Sequence, residues 1–214
     1  AFDGDGDRVI MVDHTGAEVD GDMILYLLAK DRQERGILEG GAVGTVMTNM
    51  AIENKLAKEG IPFDRTKVGD RYVMEALRQK NWHIGGESSG HIISLTKTTT
   101  GDGIIAALQV LSYLKRVNKS LKGALDGVEL FPQKLINISF LGKEDLVVGV
   151  NAFWDSVDVK VASVEKELGE KGRVLIRTSG TEPLIRVMVE AQDNTLVEKH
   201  IDGLVKHVKN LLKN

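Results

Sequence analysis

The residues best suited to chemistry in this sequence are Asp3-Gly4-Asp5-Gly6-Asp7-Arg8. In extended backbone, alternate side chains project to one face, so Asp3, Asp5 and Asp7 can converge on one hard cation. Gly4 and Gly6 let the chain bend tightly around it. Arg8 adds a planar donor suited to phosphate oxygens. A divalent ion beside an arginine is what phosphoryl transfer needs, because that reaction asks mainly for charge neutralisation and positioning. An inert acidic surface turn explains the hexapeptide less well, since three like charges this close repel unless something neutralises them. An EF-hand loop fails on spacing. Counted from Asp3, the place that requires Gly holds Arg8, and the place that requires Glu holds His14. Ligand hardness favours Mg²⁺, and Mn²⁺ would also fit.

Two further loops carry polar groups in a useful order. In Gly85-Gly86-Glu87-Ser88-Ser89-Gly90-His91, Glu87 can accept from neighbouring hydroxyls of a sugar ring and Ser89 can donate or accept. His91 can exchange a proton near neutral pH. The same residues also suit a tight hairpin turn, and the loop alone leaves both readings open. In Arg177-Thr178-Ser179-Gly180-Thr181-Glu182-Pro183, closed by Arg186, small residues offer backbone N–H groups as an anion nest. Ser179, Gly180 and Thr181 with the two arginines read as a phosphate cradle rather than a plain turn. Arg71, after Val68-Gly69-Asp70, can reach a phosphate or stand exposed beside a helix-capping Asp70. Asp102 reads as a cap before an apolar helix, with a place in a cleft as the other option.

These loops need elements to hold them. Arg8–Asp13 and Ala17–Asp20 predict two short strands around His14-Thr15-Gly16. Helix, strand and helix then alternate: helices over Met23–Arg35, Met50–Glu59, Tyr72–Lys80 and Gly103–Val117, and strands over Ala42–Thr48, Phe63–Val68, Trp82–Ile84 and His91–Leu95. In the last of these helices, Ile104, Ala107, Leu108, Leu111 and Leu114 mark the face expected to be buried. The alternation predicts an α/β domain with a mostly parallel mixed sheet over 20–125. A smaller α+β domain is expected over 131–214. It has strands at Phe131–Phe140, Arg173–Arg177 and Leu184–Ala191, and helices at Asp158–Leu168 and Thr195–Leu212. Thr195 with Glu198 reads as a capping box. The linker is expected near Gly123–Leu130. Residues 1–19 read as the tail of a preceding α/β domain whose other strands lie elsewhere, which would leave the hairpin edges exposed, and disordered or paired with another chain.

Bulk properties narrow the function classes. The 214 residues are 42% hydrophobic and 28% charged, with a net charge of −3 and no cysteine. That composition is ordinary for a globular domain, gives no global positive field for nucleic acid, and rules out disulfides and thiolate metal sites. No apolar run approaches membrane-spanning length. There is no initiator Met and a functional loop begins at residue 3, so a longer parent protein is expected, of which this is the C-terminal part.

Taken together, DGDGDR, GESSGH and RTSGTEP resemble the metal, sugar and phosphate loops of the α-D-phosphohexomutase superfamily, in that family's order and across the whole chain. Within it, the Glu87–His91 stretch and RTSGTEPLIRVMVE are most similar to the bacterial branch that acts on glucosamine phosphates. The resemblance implies a four-domain isomerase that interconverts glucosamine 6-phosphate and glucosamine 1-phosphate through a phosphoserine and a bisphosphorylated sugar. It implies Mg²⁺ on Asp3, Asp5 and Asp7, charge stabilisation by Arg8, acid/base work by His91, sugar hydroxyls on Glu87 and Ser89, and a phosphate on Arg177, Ser179, Gly180, Thr181 and Arg186, with Arg71 a lesser candidate. It further implies a cytoplasmic enzyme of amino-sugar metabolism, feeding UDP-N-acetylglucosamine and peptidoglycan precursors, with a homodimer as one possible state. Nothing here matches the family's serine loop, so the first domain and most of the second are expected outside this chain, which should be inactive alone. A phosphomanno- or phosphoglucomutase is the alternative enzyme, and a non-catalytic sugar-phosphate-binding module the alternative class.

Overall fold

The computed structural model describes residues 1–142, 145–180 and 182–212. The chain divides into two compact units, Ala1–Leu130 and Phe131–Asn214.

The first unit opens with a hairpin of β1 (Met11–Val12) and antiparallel β2 (Glu18–Val19). It continues through α1 (Gly21–Glu34), β3 (Ala42–Thr45), α2 (Met50–Lys58), β4 (Phe63–Thr66), α3 (Asp70–Lys80), β5 (Ile84–Gly86), β6 (Ile92–Ser94), α4 (Gly103–Val117) and the short α5 (Leu121–Ala124). The sheet runs β4-β3-β5-β6, with β3 parallel to both neighbours and β6 antiparallel to β5. This is the mixed, mostly parallel sheet that the alternation of elements predicts. Helix α1 is buried over most of its surface through Ile24, Leu25, Tyr26, Leu27, Leu28 and Ala29. Its start is set by Asp20, whose carboxylate accepts the Met23 N–H at 3.0 Å.

Several expectations shift here. In α4 the buried residues are Gly103, Ala106, Val110 and Tyr113, while Ile104, Leu108 and Leu111 are exposed. Apolar residues surround this helix on nearly every side, so the 3.6-residue period does not choose the inward face. Ala107 and Leu114 are partly buried. The expected linker is not a free tether: Ala124 and Leu125 are buried, and Val128 and Leu130 pack on the same core. The N-terminal hairpin does not stand alone either, because Val9 is buried and its N–H donates to the Gly90 carbonyl at 3.1 Å.

The second unit holds β7 (Gln133–Ser139), α6 (Val150–Leu168), a 3₁₀ turn at Gly169–Lys171, β8 (Gly172–Thr178), β9 (Leu184–Ala191) and α7 (Asn194–Asn210). Its sheet is antiparallel in the order β7-β9-β8, and the core joins Ile185, Val187 and Val189 of β9 to Phe153 and Val157 of α6 and Ile201 and Leu204 of α7. Helix α6 starts eight residues earlier than its periodicity announces, at Val150 rather than Asp158. Its cap position is Gly149, which offers no side chain, so the usual start signal is missing. The predicted capping box of α7 is replaced. Asp193 accepts the Leu196 N–H at 3.0 Å, Thr195 lies inside the helix, and Glu198 pairs with Lys134 at 2.5 Å.

Two outcomes follow for unfolding measurements. Asp193→Ala should lower stability to urea by about 1 kcal/mol, while Thr195→Ala should stay within about 0.5 kcal/mol; equal effects would restore the capping box. Asp22, in the first turn of α1, is buried, and burial with the nearby Asp20 charge pushes its carboxyl up to about 7. A folded-state value above the unfolded one means that the native state keeps a proton which the unfolded chain has already lost. Stability should therefore fall as pH rises from 4 to 7, by on the order of 4 kcal/mol from this group. Asp22→Asn should flatten that slope in melts at pH 4.5, 6 and 8.

Candidate functional site

The hexapeptide folds back on itself as its glycines allow. The Arg8 N–H donates to Asp3 Oδ1 at 3.2 Å, and Gly6 takes a positive φ of 75°. Each of Asp3, Asp5 and Asp7 offers an oxygen within 4.8 Å of the others. Asp7 Oδ1 is buried without a hydrogen-bond partner. Desolvation, with the charges of Asp5 and Asp3, pushes the Asp7 carboxyl above its usual range, while His91 opposes the shift. Asp3 moves the other way: desolvation acts upward, but the hydrogen bonds to its carboxylate, led by the Arg8 N–H, leave it lowered. An acceptor-only cluster with a buried orphan oxygen fits a hard divalent cation, so the residues present fit the metal their spacing suggests. The Arg8 guanidinium sits loosely beside them, at 3.8 Å from Asp3 and 3.9 Å from Asp7.

The glycine-rich loop joins this cluster. Arg8 bridges His91 through backbone, and Val9 bonds Gly90. His91 is 5% exposed, and its Nδ1 lies 3.1 Å from Asp7 Oδ2. Its Nε2 packs against Gly101, where a Cβ would collide with the ring. Glu87 Oε1 accepts the Gly69 N–H at 2.9 Å, and Ser89 is exposed. Asp7, Arg8, Glu87, Ser89 and His91 line one cleft of about 380 Å³, together with Val68, Gly69 and Asp70. The last three were invisible as site residues in the sequence, although Gly69, with a φ of 128°, is the break that aims its N–H at Glu87. Arg71 is not among the lining residues: it is exposed, with its guanidinium 5.5 Å from the Tyr72 ring centre. The cap of α3 is Gly69, and Asp70 is the first helical residue rather than the cap. Asp102 does cap α4, accepting the Ile105 N–H at 2.8 Å.

In the second unit, Arg177 and Arg186 face each other as direct partners across β8 and β9. Like charges in that position repel, and the Nε of each is buried without a partner. Desolvation and the Arg186 charge hold the Arg177 guanidinium below its usual range. Such a pair fits an anion. The expected backbone nest is partly spent on the turn itself: the Ser179 N–H goes to the Leu184 carbonyl at 2.8 Å, and Ser179 Oγ accepts the Glu182 N–H at 3.2 Å. Of the backbone amides expected in the nest, that of Ser179 is thus taken up within the turn. Arg186 also donates to Glu182 at 2.8 Å. Thr181 lies outside the described residues.

Residues 20–131, just over half the chain, match the profile of the phosphoglucomutase/phosphomannomutase alpha/beta/alpha domain III. The chain belongs to the phosphoglucomutase/phosphomannomutase family. Residues 135–207 match the profile described as the C-terminal domain of the same family. Among curated relatives, the phosphoglucosamine mutase of Proteus mirabilis is 54% identical over an alignment of 211 residues that covers 97% of this chain and 46% of that protein. Phosphoglucosamine mutase 1 of Shewanella amazonensis is 52% identical over 98% of this chain and 46% of its own length. The chain thus spans about half the length of the curated relatives it matches. Among solved structures, Aspergillus fumigatus N-acetylphosphoglucosamine mutase in complex with GlcNAc-6P and magnesium aligns with a TM-score of 0.81 at 21% identity, over 99% of this chain and 48% of that one. A putative phosphomannomutase from Thermus thermophilus aligns with a TM-score of 0.68 at 25% identity, over 98% of this chain and 45% of that one.

In this family member Gly90 is the joint between the acidic loop and the glycine-rich loop. Its φ is 91°, and a Cβ there would collide with the Val9 carbonyl. Gly90→Ala should cost about 1–3 kcal/mol of stability and remove hydrogen-exchange protection from the Val9 amide. Unchanged protection at Val9 would show that the joint lies elsewhere.

Proposed function

We propose that this chain supplies the metal, sugar and phosphate loops of a phosphoglucosamine mutase, an isomerase that moves a phosphoryl group between the 6- and 1-positions of glucosamine phosphate. The observation that carries the reading is one cleft lined by the Asp7 and Arg8 end of the acidic loop and by Glu87 and Ser89 of the glycine-rich loop. The 54% and 52% identities to phosphoglucosamine mutases support the choice of sugar. In this reading residues 1–19 are the tail of a second domain, and 20–125 and 131–214 are the third and fourth domains of a longer cytoplasmic enzyme. The phosphoserine belongs to the part outside this chain.

Asp3, Asp5 and Asp7 would hold Mg²⁺. When bound, the ion neutralises charge on the phosphoryl group in transit. Arg8, loosely paired and half-exposed, is free to swing onto that group's oxygens. Glu87, oriented by the Gly69 N–H, and the exposed Ser89 hydroxyl hold ring hydroxyls of the sugar. Arg177 and Arg186 clamp the phosphate that is not reacting, which removes their mutual repulsion. His91, with Nδ1 facing Asp7 and Nε2 buried against Gly101, has no ring nitrogen open to the sugar hydroxyl, so its part in this reading is to orient the Asp7 carboxylate rather than the acid/base exchange expected from the sequence. In this reading the reaction passes through a bisphosphorylated sugar.

Two measurements test this. The purified chain should bind one Mn²⁺ per molecule by isothermal titration, and Asp5→Asn should weaken that binding at least about tenfold. Alone, the chain should not turn over glucosamine 6-phosphate. Absence of Mn²⁺ binding sinks the metal assignment, and turnover by the chain alone sinks the placement of the serine. Assays of the longer protein with glucosamine, mannose and glucose phosphates separate this reading from a phosphomanno- or phosphoglucomutase.

A further inference from the structure

Gly101, just before α4, is packed against a single side chain. A Cβ built on it would lie 2.1 Å from His91 Nε2, 2.5 Å from Cε1 and 2.6 Å from Cδ2, well inside ordinary van der Waals contact. The φ of Gly101 is not positive, so its backbone conformation does not call for glycine. The ring does. Gly101 is also held in place. It bridges Ile93 of β6, and it is followed by Asp102, whose carboxylate accepts the Ile105 N–H at 2.8 Å, and by Gly103, whose N–H donates to the Gly6 carbonyl at 3.0 Å. A Cβ on Gly103 would itself strike the Arg8 carbonyl oxygen at 2.5 Å, so this segment cannot shift toward the acidic loop.

The other nitrogen of the ring faces the acidic loop. His91 Nδ1 lies 3.1 Å from Asp7 Oδ2, and against a carboxylate oxygen it is the donor. Nε2, on the Gly101 side, is buried and makes no hydrogen bond. The two oxygens of Asp7 are thereby divided. Oδ2 takes the ring N–H, while Oδ1, buried and without a hydrogen-bond partner, is left for a cation. Hydrogen bonds behind a metal ligand fix its orientation, and their loss weakens metal binding although nothing in the coordination sphere has changed.

We propose that Gly101 is a positioning residue for the metal loop: the missing side chain there seats the His91 ring against Asp7 Oδ2 and so aims Asp7 Oδ1 at the cation. The inference rests on the reading of Asp3, Asp5 and Asp7 as the metal ligands. Held between Gly101 at Nε2 and Asp7 at Nδ1, the ring has no slack along that line. A methyl group at residue 101 forces the ring to turn, and the turn breaks the hydrogen bond to Asp7. Gly101 thus touches neither ion nor sugar, yet it sets how well the loop holds the ion.

The test uses the purified chain, metal-free for nuclear magnetic resonance and with Mn²⁺ for isothermal titration. The unaltered chain should show a slowly exchanging ring Nδ1–H signal that is absent from His91→Ala. Gly101→Ala should lose that signal and bind Mn²⁺ about tenfold more weakly. His91→Ala should weaken binding to a similar extent. Adding Gly101→Ala to it should change the affinity by less than about twofold, because the ring that carries the effect is gone. A ring signal that persists in Gly101→Ala, Mn²⁺ affinity unchanged by that substitution, or losses that add in the double variant overturn the proposal. If Gly101→Ala alone fails to fold in circular-dichroism melts, the double variant decides. Folding with the affinity of His91→Ala upholds the proposal, and failure to fold overturns it. An unaltered chain that binds no Mn²⁺ overturns the metal reading instead, and loss of the ring signal in Gly101→Ala then shows that Gly101 seats His91 without it.

Discussion

Two backbone hydrogen bonds hold the first unit's cleft together. One runs from the Val9 N–H to the Gly90 carbonyl, the other from the Gly103 N–H to the Gly6 carbonyl. They fasten a short acidic loop, which has almost no core of its own, to a sheet turn on one side and a helix start on the other. Gly90 and Gly103 both stand where a Cβ would collide with that loop's backbone. Everything the cleft can do depends on this close approach, because a shift of one ångström would break the 3.1 Å contact between His91 and Asp7.

On that frame the electrostatics are left unfinished in a consistent way. Three carboxylates crowd one point, two arginines oppose each other across a ladder, and Asp7, Arg177 and Arg186 each keep a buried atom without a partner. Such features cost stability in the isolated chain. They are complementary to a cation in one unit and to an anion in the other, the charge pattern that the proposed function calls for.

Much of this was legible in the residues. The alternating acidic hexapeptide, the glycine-bracketed Glu87 and the arginine-flanked turn each showed their chemistry through residue type and spacing. The parallel sheet followed from the alternation of apolar runs with helical periods. What was not legible came from tertiary choices. The apolar residues of α4 surround the helix, so only packing against α1 decides that Val110 faces in and Leu108 faces out. The start of α6 is hidden because Gly149 carries no capping group, and the start of α7 was misplaced because Asp193 competes with Thr195. Gly69 carries no mark in the sequence because its part in the cleft is a backbone N–H, which no side-chain pattern reveals.

The central claim is that the acidic loop binds a divalent cation through three side chains at once. Anomalous diffraction from crystals of the chain grown with Mn²⁺ tests it most directly. The account predicts one strong peak within coordination distance of Asp3, Asp5 and Asp7 together, absent from Asp5→Asn crystals. A peak elsewhere with none at this loop would contradict it.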